Sequence, residues 1–367
     1  MRLHPQLKNL HIRLLERIDG GQSVALATII DARGSTPQMP GFSALFGAEG
    51  LLMGTLGGGI LEKDAERRSV AALKSRNSEL YEFDLEADLA SPEGAICGGA
   101  VRMLIDARPD RNAPAFRALC EAQKRRAPGV LVTYMEWKAD SLFLRRNWIL
   151  STPLGEEEGR SEPWARFSKQ IASCLEQRRT RLFFEGGKSS STDPPPGMIF
   201  VEPIFPLPRL VIAGAGHIGK AVAHLGQRLE FEVTVIDDRP EFANPENVPD
   251  ADVILVGDIG PTIESLPIGP DTYIVIVTRG HQHDAEALRA CIAAPSAYLG
   301  MIGSLTKITL MRSQFLDRGW ASEEQWDRIH APIGIDIRSQ TVEEIAVSIA
   351  AQLTLERGRK SKKHSDT

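Results

Sequence analysis

Residues 209–219 read Arg209-Leu-Val-Ile-Ala-Gly-Ala-Gly-His-Ile-Gly219, and after one helix-length interval the chain reads Phe231-Glu-Val-Thr-Val-Ile-Asp-Asp238. Leu210 to Ala213 are apolar and partly β-branched, the pattern of a strand buried on both faces. Gly214, Gly216 and Gly219 then space a G-x-G-x-x-G turn. Gly214 permits the tight bend, Gly216 lets a phosphate approach the backbone, and Gly219 lets the following helix lie close to the strand. Ile218, Ala221, Val222 and Leu225 recur at helical spacing, and Phe231 to Ile236 resume an apolar run ending in Asp237 and Asp238. An acid about 20 residues beyond the glycines is where dinucleotide folds bind a ribose hydroxyl. Together these features predict a Rossmann-like unit. They leave the ligand open, because such a core also keeps its glycines for packing alone.

Downstream, Val253 to Gly257 and Tyr273 to Thr278 read as further strands. The second feeds a helix from Ala285 to Ala293 through Thr278-Arg-Gly-His-Gln-His-Asp284. Ligands of parallel sheets sit at the carboxyl ends of strands, which singles out Thr278, His281, His283 and Asp284. His-x-His-Asp also suits a metal. The competing role is Asp284 as a helix cap, with the imidazoles bonded to nearby carbonyls. Tyr298 to Ile302 is a strand ending in Gly303-Ser304, and the helix Leu305 to Arg318 carries Lys307 in its first turn toward the same edge. A short helix over Ser322 to Ile329 and a turn over Ala331 to Asp336 precede the closing helix, Thr341 to Glu356. Thr341 and Glu344 are spaced as a capping box. Arg357 to Thr367 is a basic tail, expected to be disordered.

Upstream, Pro5 to Ile18 has the spacing of an amphipathic helix, ended by Gly20-Gly21. A strand follows from Ser23 to Asp31, then the turn-rich Arg33-Gly-Ser-Thr-Pro-Gln-Met-Pro-Gly41, then a hairpin of Phe42–Phe46 and Leu51–Thr55. Gly57-Gly58-Gly59 opens a helix to about Arg76, with Ala65, Val70 and Leu73 expected inward. Strand, glycines and helix start make a place for an anion, or simply a tight turn needing positive φ. The stretch lacks the spacing and Lys of a P-loop. Glu79 to Leu85 is a strand, and Cys97-Gly98-Gly99 precedes another, Ala100 to Asp106. Cys97 either presents its sulfur to a ligand or is a small buried hydrophobe. Beyond it come a helix (Pro114–Arg126), two strands (Gly129–Trp137 and Ser141–Leu150) and a helix (Pro163–Arg178). A strand then runs from Met198 to Ile204, with Glu202 read as exposed or functional.

The chain has 367 residues, more than one ordinary core accommodates. The expected division is an N-terminal α+β domain over 1–207, with a flexible loop at 186–197, and a Rossmann-like domain over 208–356. The fold class is α/β. A net charge of −5 provides no electrostatic case for nucleic acid. No apolar run approaches the roughly 20 residues that span a bilayer, and the N-terminus lacks the apolar core of a signal peptide. Cys97, Cys120, Cys174 and Cys291 form no C-x-x-C pair, which fits a reducing cytoplasm.

Taken with Pro40-Gly41, the segments Arg33-Gly-Ser-Thr-Pro37, Gly57-Gly-Gly-Ile-Leu-Glu62 and Cys97-Gly-Gly99 resemble the XdhC/CoxI family, accessory proteins of xanthine dehydrogenase and related molybdenum hydroxylases. The resemblance continues in Gly214–Gly219, Asp237-Asp-Arg239, Thr278, His281, Asp284, Tyr298-Leu-Gly-Met-Ile-Gly-Ser304, Lys307, Pro332–Asp336 and Glu343-Glu-Ile-Ala346. Residues 108–200 carry none. The resemblance implies a protein that binds the molybdenum cofactor, supports replacement of a terminal oxo ligand by sulfur from a cysteine desulfurase, and hands the cofactor to the apo-hydroxylase. It implies no turnover of a small molecule, and it leaves the oligomeric state open, a homodimer included. Implied cofactor contacts are Gly214, Gly216, His217, Gly219, Asp237, Asp238, Gly57, Gly58, Gly59, Glu62, Cys97, Thr278, His281, Asp284, Ser304 and Lys307, with Cys97 the candidate molybdenum contact. The two glycine turns are expected to face one guest across a cleft. Two departures stand out: Ile60 replaces a Cys of some relatives, and Arg338 and Val342 stand where relatives tend to have Gly and Pro. The rival readings are an NAD(P)-dependent oxidoreductase with His281 as acid and a nucleotide-sensing domain of an ion-transport system.

Overall fold

A computed structural model describes residues 7–85, 99–138, 141–151, 162–186 and 197–363. The chain divides between Pro206 and Leu207 into two compact units.

The N-terminal unit begins with α1 (Leu7–Asp19), β1 (Ala25–Gly34), the hairpin β2 (Ser43–Gly47) and β3 (Gly50–Gly54), α2 (Gly59–Ser75), β4 (Glu79–Asp84), β5 (Gly99–Asp106) and α3 (Ala113–Lys124). It continues with β6 (Gly129–Lys138), β7 (Ser141–Leu150), α4 (Ser168–Gln177), β8 (Arg181–Phe184) and β9 (Met198–Ile204). The strands form two antiparallel sheets, β3-β2-β1-β5-β4 and β7-β6-β9-β8. Side-chain alternation assigns the faces. Ala25, Ala27 and Ile29 of β1 meet Leu61, Ala65 and Ala72 of α2. Leu26 points the other way, toward Leu10 and Leu14 of α1 and Phe116 of α3. After a register shift at residues 29–31, Ile30 joins Leu104, Met198 and Phe200 between the two sheets. The unit is thus α+β, as its pattern predicts.

The second unit carries β10 (Arg209–Ala213), α5 (His217–Arg228), β11 (Glu232–Asp237), β12 (Val253–Val256), α6 (Ile259–Glu264), β13 (Thr272–Ile276), α7 (Gly280–Cys291), β14 (Tyr298–Met301), α8 (Leu305–Asp317), α9 (Glu323–Asp327) and α10 (Val342–Lys363). Its sheet runs β12-β11-β10-β13-β14 with parallel pairing throughout. Val211 and Ala213 of β10 face a cluster with α6, α7 and α8. Leu210 and Ile212 face one with α5 and α10. The central strands β10 and β13 are covered on both faces, which matches their apolar runs Leu210–Ala213 and Tyr273–Ile276. The edge of β14 is also paired: His330 N–H donates to the Leu299 carbonyl at 2.9 Å, and Met301 N–H to the His330 carbonyl at 3.0 Å. That removes the unpaired edge such a strand otherwise offers.

Several local expectations need correction. The closing helix does not stop at Glu356 but continues to Lys363. Arg357 anchors the extension by donating to the Leu229 carbonyl at 2.6 Å and lying over the Phe231 ring. The buried face of α2 is Leu61, Ala65, Ser69 and Ala72, with Val70 only half-buried. The strand β8 and the helix α6 escape periodicity because each is a turn or two long. The Ala331–Asp336 segment also touches β14, its Ile333 N–H donating to the Met301 carbonyl at 3.0 Å, just after His330 bridges Gly300. The expected loop 186–197 and Cys97 lie largely or wholly outside the described residues.

Candidate functional site

In the second unit, the strand order reverses between β10 and β13, so the carboxyl ends of these two strands open the crevice where such sheets hold ligands. Gly214 bends at φ +114°, and a Cβ there would lie 2.5 Å from the Val277 carbonyl oxygen and 3.1 Å from Thr278 Cα. A Cβ on Gly219 would run into the Gly214 carbonyl. These two glycines are therefore required by packing. Gly216 differs. Its φ of −69° suits any residue, and a Cβ there would meet nothing within 4 Å. It faces open space, and as N-cap of α5 it provides no side chain to the first-turn amides. His217 beside it is exposed.

The acid after β11 is not the open acceptor that its spacing suggests. Asp237 is 2% exposed. Its Oδ2 accepts from Ala215 N–H at 2.8 Å and Arg239 Nη2 at 3.0 Å, and its Oδ1 accepts from Arg239 Nε at 2.8 Å. Burial pushes this carboxyl up, but the bonds from Arg239 and the Ala215 amide outweigh it and hold it below the usual range. Asp237 thus positions the glycine loop. Asp238 is the partly exposed acid, and its Oδ2 accepts from Arg279 Nη2 at 2.7 Å.

On the other side of β10, Thr278 donates its N–H at 3.2 Å and its hydroxyl at 2.6 Å to Asp284 Oδ1. Asp284 is fully buried, and its Oδ2 takes the Lys307 ammonium. Lys307 Nζ also reaches the Ile302 carbonyl at 3.3 Å. Asp284 is accordingly no helix cap, since Arg279 occupies that position. Ser304 caps α8, accepting from Lys307 N–H. His281 is exposed, and His283 lies 3.5 Å from Glu286. Among the described residues no group of His, Cys, Asp and Glu could hold a metal. The structure therefore brings Gly214–Gly219, Asp237, Asp238, Thr278, Asp284 and Lys307 to one strand edge and leaves His281 on the surface. Arg239 and Arg279 complete the cluster. Sequence reasoning passed over both as site residues, although each lies in a loop leaving a parallel strand.

In the N-terminal unit, the motif segments also converge. A Cβ on Gly57 would lie 2.8 Å from Pro37, and one on Gly99 would lie 2.5 Å from the Arg33 carbonyl. The Arg33–Pro37 loop is thus wedged between the glycine turn and the start of β5. Gly58 and Gly59 take φ of +74° and +62° and face open space. Glu62 holds the turn from within, its Oε2 accepting from Thr55 Oγ1 and Leu56 N–H, both at 2.8 Å. Burial pushes the Cys120 thiol up to about 11 and the Cys291 thiol up to about 12, so neither is a ready nucleophile.

Two family models match this chain: the XdhC and CoxI family over residues 18–84, and the XdhC Rossmann domain over residues 210–353. The chain belongs to the XdhC/CoxI family. Members similar to it include a probable xanthine dehydrogenase subunit from Bacillus subtilis, 25% identical over 96% of this chain and 98% of that one. The uncharacterized protein YqeB of Escherichia coli is 27% identical over 90% of this chain, which spans 42% of YqeB's length. The molybdenum cofactor insertion chaperone PaoD of Escherichia coli is 29% identical over 96 residues, 26% of this chain and 30% of PaoD. A Bacillus halodurans protein solved as a xanthine dehydrogenase shares the fold, with a TM-score of 0.71 and 24% identity over 95% of this chain and 96% of that one. The XdhC Rossmann model spans the whole crevice just described, and the XdhC and CoxI model spans the Arg33–Pro37 loop and the glycine turn wedged against it.

Proposed function

We propose that this chain binds the molybdenum cofactor, supports its sulfuration together with a cysteine desulfurase, and inserts it into a xanthine dehydrogenase or related molybdenum hydroxylase in the cytoplasm. The observation that carries this reading is the open Gly216 amide face, with the cations Lys307 and Arg279 on the same strand edge. An anionic cofactor tail needs unclaimed N–H groups at a helix start and positive charge nearby. The names of PaoD and of the Bacillus subtilis relative agree with it. When bound, the cofactor would supply the molybdenum centre that sulfuration acts on. The chain's own residues would bind and orient: the amides at the start of α5, from Gly216 to Ile218, would hold the tail, Asp237 fixes the loop through Ala215, and Asp284 fixes Lys307. Gly58 and Gly59 offer a second backbone surface, and Cys97 is the candidate for sulfur chemistry. An NAD(P) oxidoreductase has less support, because the carboxylate placed to bind ribose is buried and fully bonded.

Cofactor retention by purified Gly216→Asp protein tests the reading. The backbone there accepts any residue and the space is open, so the variant should fold, while its carboxylate repels an anionic tail. Retention should fall at least tenfold, the equivalent of about 1.4 kcal/mol. Unchanged retention would remove the glycine loop from the binding site.

A further inference from the structure

Between the two sheets of the N-terminal unit, beside α1, lies a polar cavity with room for about one water molecule. Its polar wall is made by His11, Thr28, Ser43, Thr133, Arg146 and Glu202. Most of these groups are satisfied within the protein. Thr28 and Ser43 share a hydroxyl hydrogen bond of 2.8 Å. Arg146 donates Nε to Thr133 at 3.1 Å and pairs through Nη1 with the buried Asp106. Two groups are left over. His11 Nδ1 is buried with no hydrogen-bond partner. No hydrogen bond from a described residue reaches the Glu202 carboxyl.

A buried, unpaired ring nitrogen costs roughly 1–3 kcal/mol, so a polar cavity of this size against it calls for solvent. An ionised carboxylate there would need a cation of its own, and the cation on this wall, Arg146, is already committed to Asp106. We propose that the cavity is a built solvent site in which one water molecule bridges His11 Nδ1 and the Glu202 carboxyl, with Glu202 present as the carboxylic acid at neutral pH. The charged and titratable groups facing the site are His11 from α1, Arg146 from β7 and Glu202 from β9, with Asp106 from β5 behind Arg146. Burial pushes Glu202 up to about 8 against the pull of Arg146, and burial together with Arg146 lowers His11 to about 4. Both groups are therefore neutral at neutral pH, and one water bonds to each without any ion pair.

Infrared difference spectroscopy and NMR on the full-length protein test this. At neutral pH the wild type should show a protonated-carboxyl band that fades above about pH 8 and is missing from Glu202→Gln. Protein labelled with ¹⁵N-histidine should show a cross-peak between water and the His11 ring. Lack of the band in the wild type, its survival in Glu202→Gln, or lack of the water cross-peak would overturn the proposal. Should Glu202→Gln not fold, the loss of the wild-type band on alkalinisation and the His11 cross-peak decide the question alone.

Discussion

The Arg279 guanidinium and the Asp238 carboxylate meet at 2.7 Å across the end of β10. Asp238 leaves β11 and Arg279 leaves β13, the two neighbours of β10, so the pair spans the mouth of the crevice above Gly214. An exposed pair of this kind contributes at most about 1 kcal/mol to stability. Its position beside the glycine loop gives Arg279 reach to a bound anion. Arg279→Ala should therefore lower cofactor retention several-fold while leaving the thermal midpoint within error, and Arg279→Lys should recover part of the loss. Retention equal to wild type in Arg279→Ala would show that Arg279 serves the surface only.

Lys307 and Asp284 behave differently, because Asp284 is fully buried. Lys307→Met would leave that carboxylate without its cation, at a cost of about 3–5 kcal/mol in denaturant unfolding. Adding Asp284→Asn should restore part of this, so the double variant should lie well above the sum of the singles. Strict additivity would mean that the two side chains do not interact.

Arg338 takes φ +59°, a left-handed conformation that L side chains resist by about 1–2 kcal/mol. Glycine removes that strain but loses about 0.5–1 kcal/mol of chain entropy on folding. Arg338→Gly should then raise stability by about 0.5 kcal/mol, read as a higher denaturation midpoint at an unchanged slope. A lower midpoint would mean that the Arg338 side chain holds the loop through contacts of its own.

The pH profile of stability should carry the mark of the polar cavity. Glu202 rises from its ordinary 4.5 to about 8, so between these values the folded state holds a proton that the unfolded chain has released, and stability falls as pH rises. His11 drops from 6.5 to about 4, so between those values the unfolded chain holds the extra proton, and stability falls as pH falls. The two slopes oppose each other between 4.5 and 6.5, leaving a plateau there. From 6.5 to 8 only Glu202 acts, and stability should decline by up to about 1.4 kcal/mol per pH unit. Urea titrations across this range should show the decline in the wild type and its loss in Glu202→Gln. An identical decline in the variant would assign it to other groups.

Glycine spacing and apolar periodicity in the sequence alone determined the parallel β-α-β core from Leu210 to Asp237, the hairpin before Gly57 and the capping box at Thr341. Each of these depends on neighbours within a few residues, through allowed φ values, side-chain alternation and helix-end hydrogen bonds. Only the tertiary structure decided which acid is consumed and which is open. Asp237 is taken up within the protein because the Ala215 amide and Arg239 converge on it. Asp284 became a buried partner of Lys307, 23 residues away, and Arg146 met Asp106 across 40 residues. The partner of a buried charge depends on which strands lie side by side, and a carboxylate's own neighbours in the chain carry no record of that.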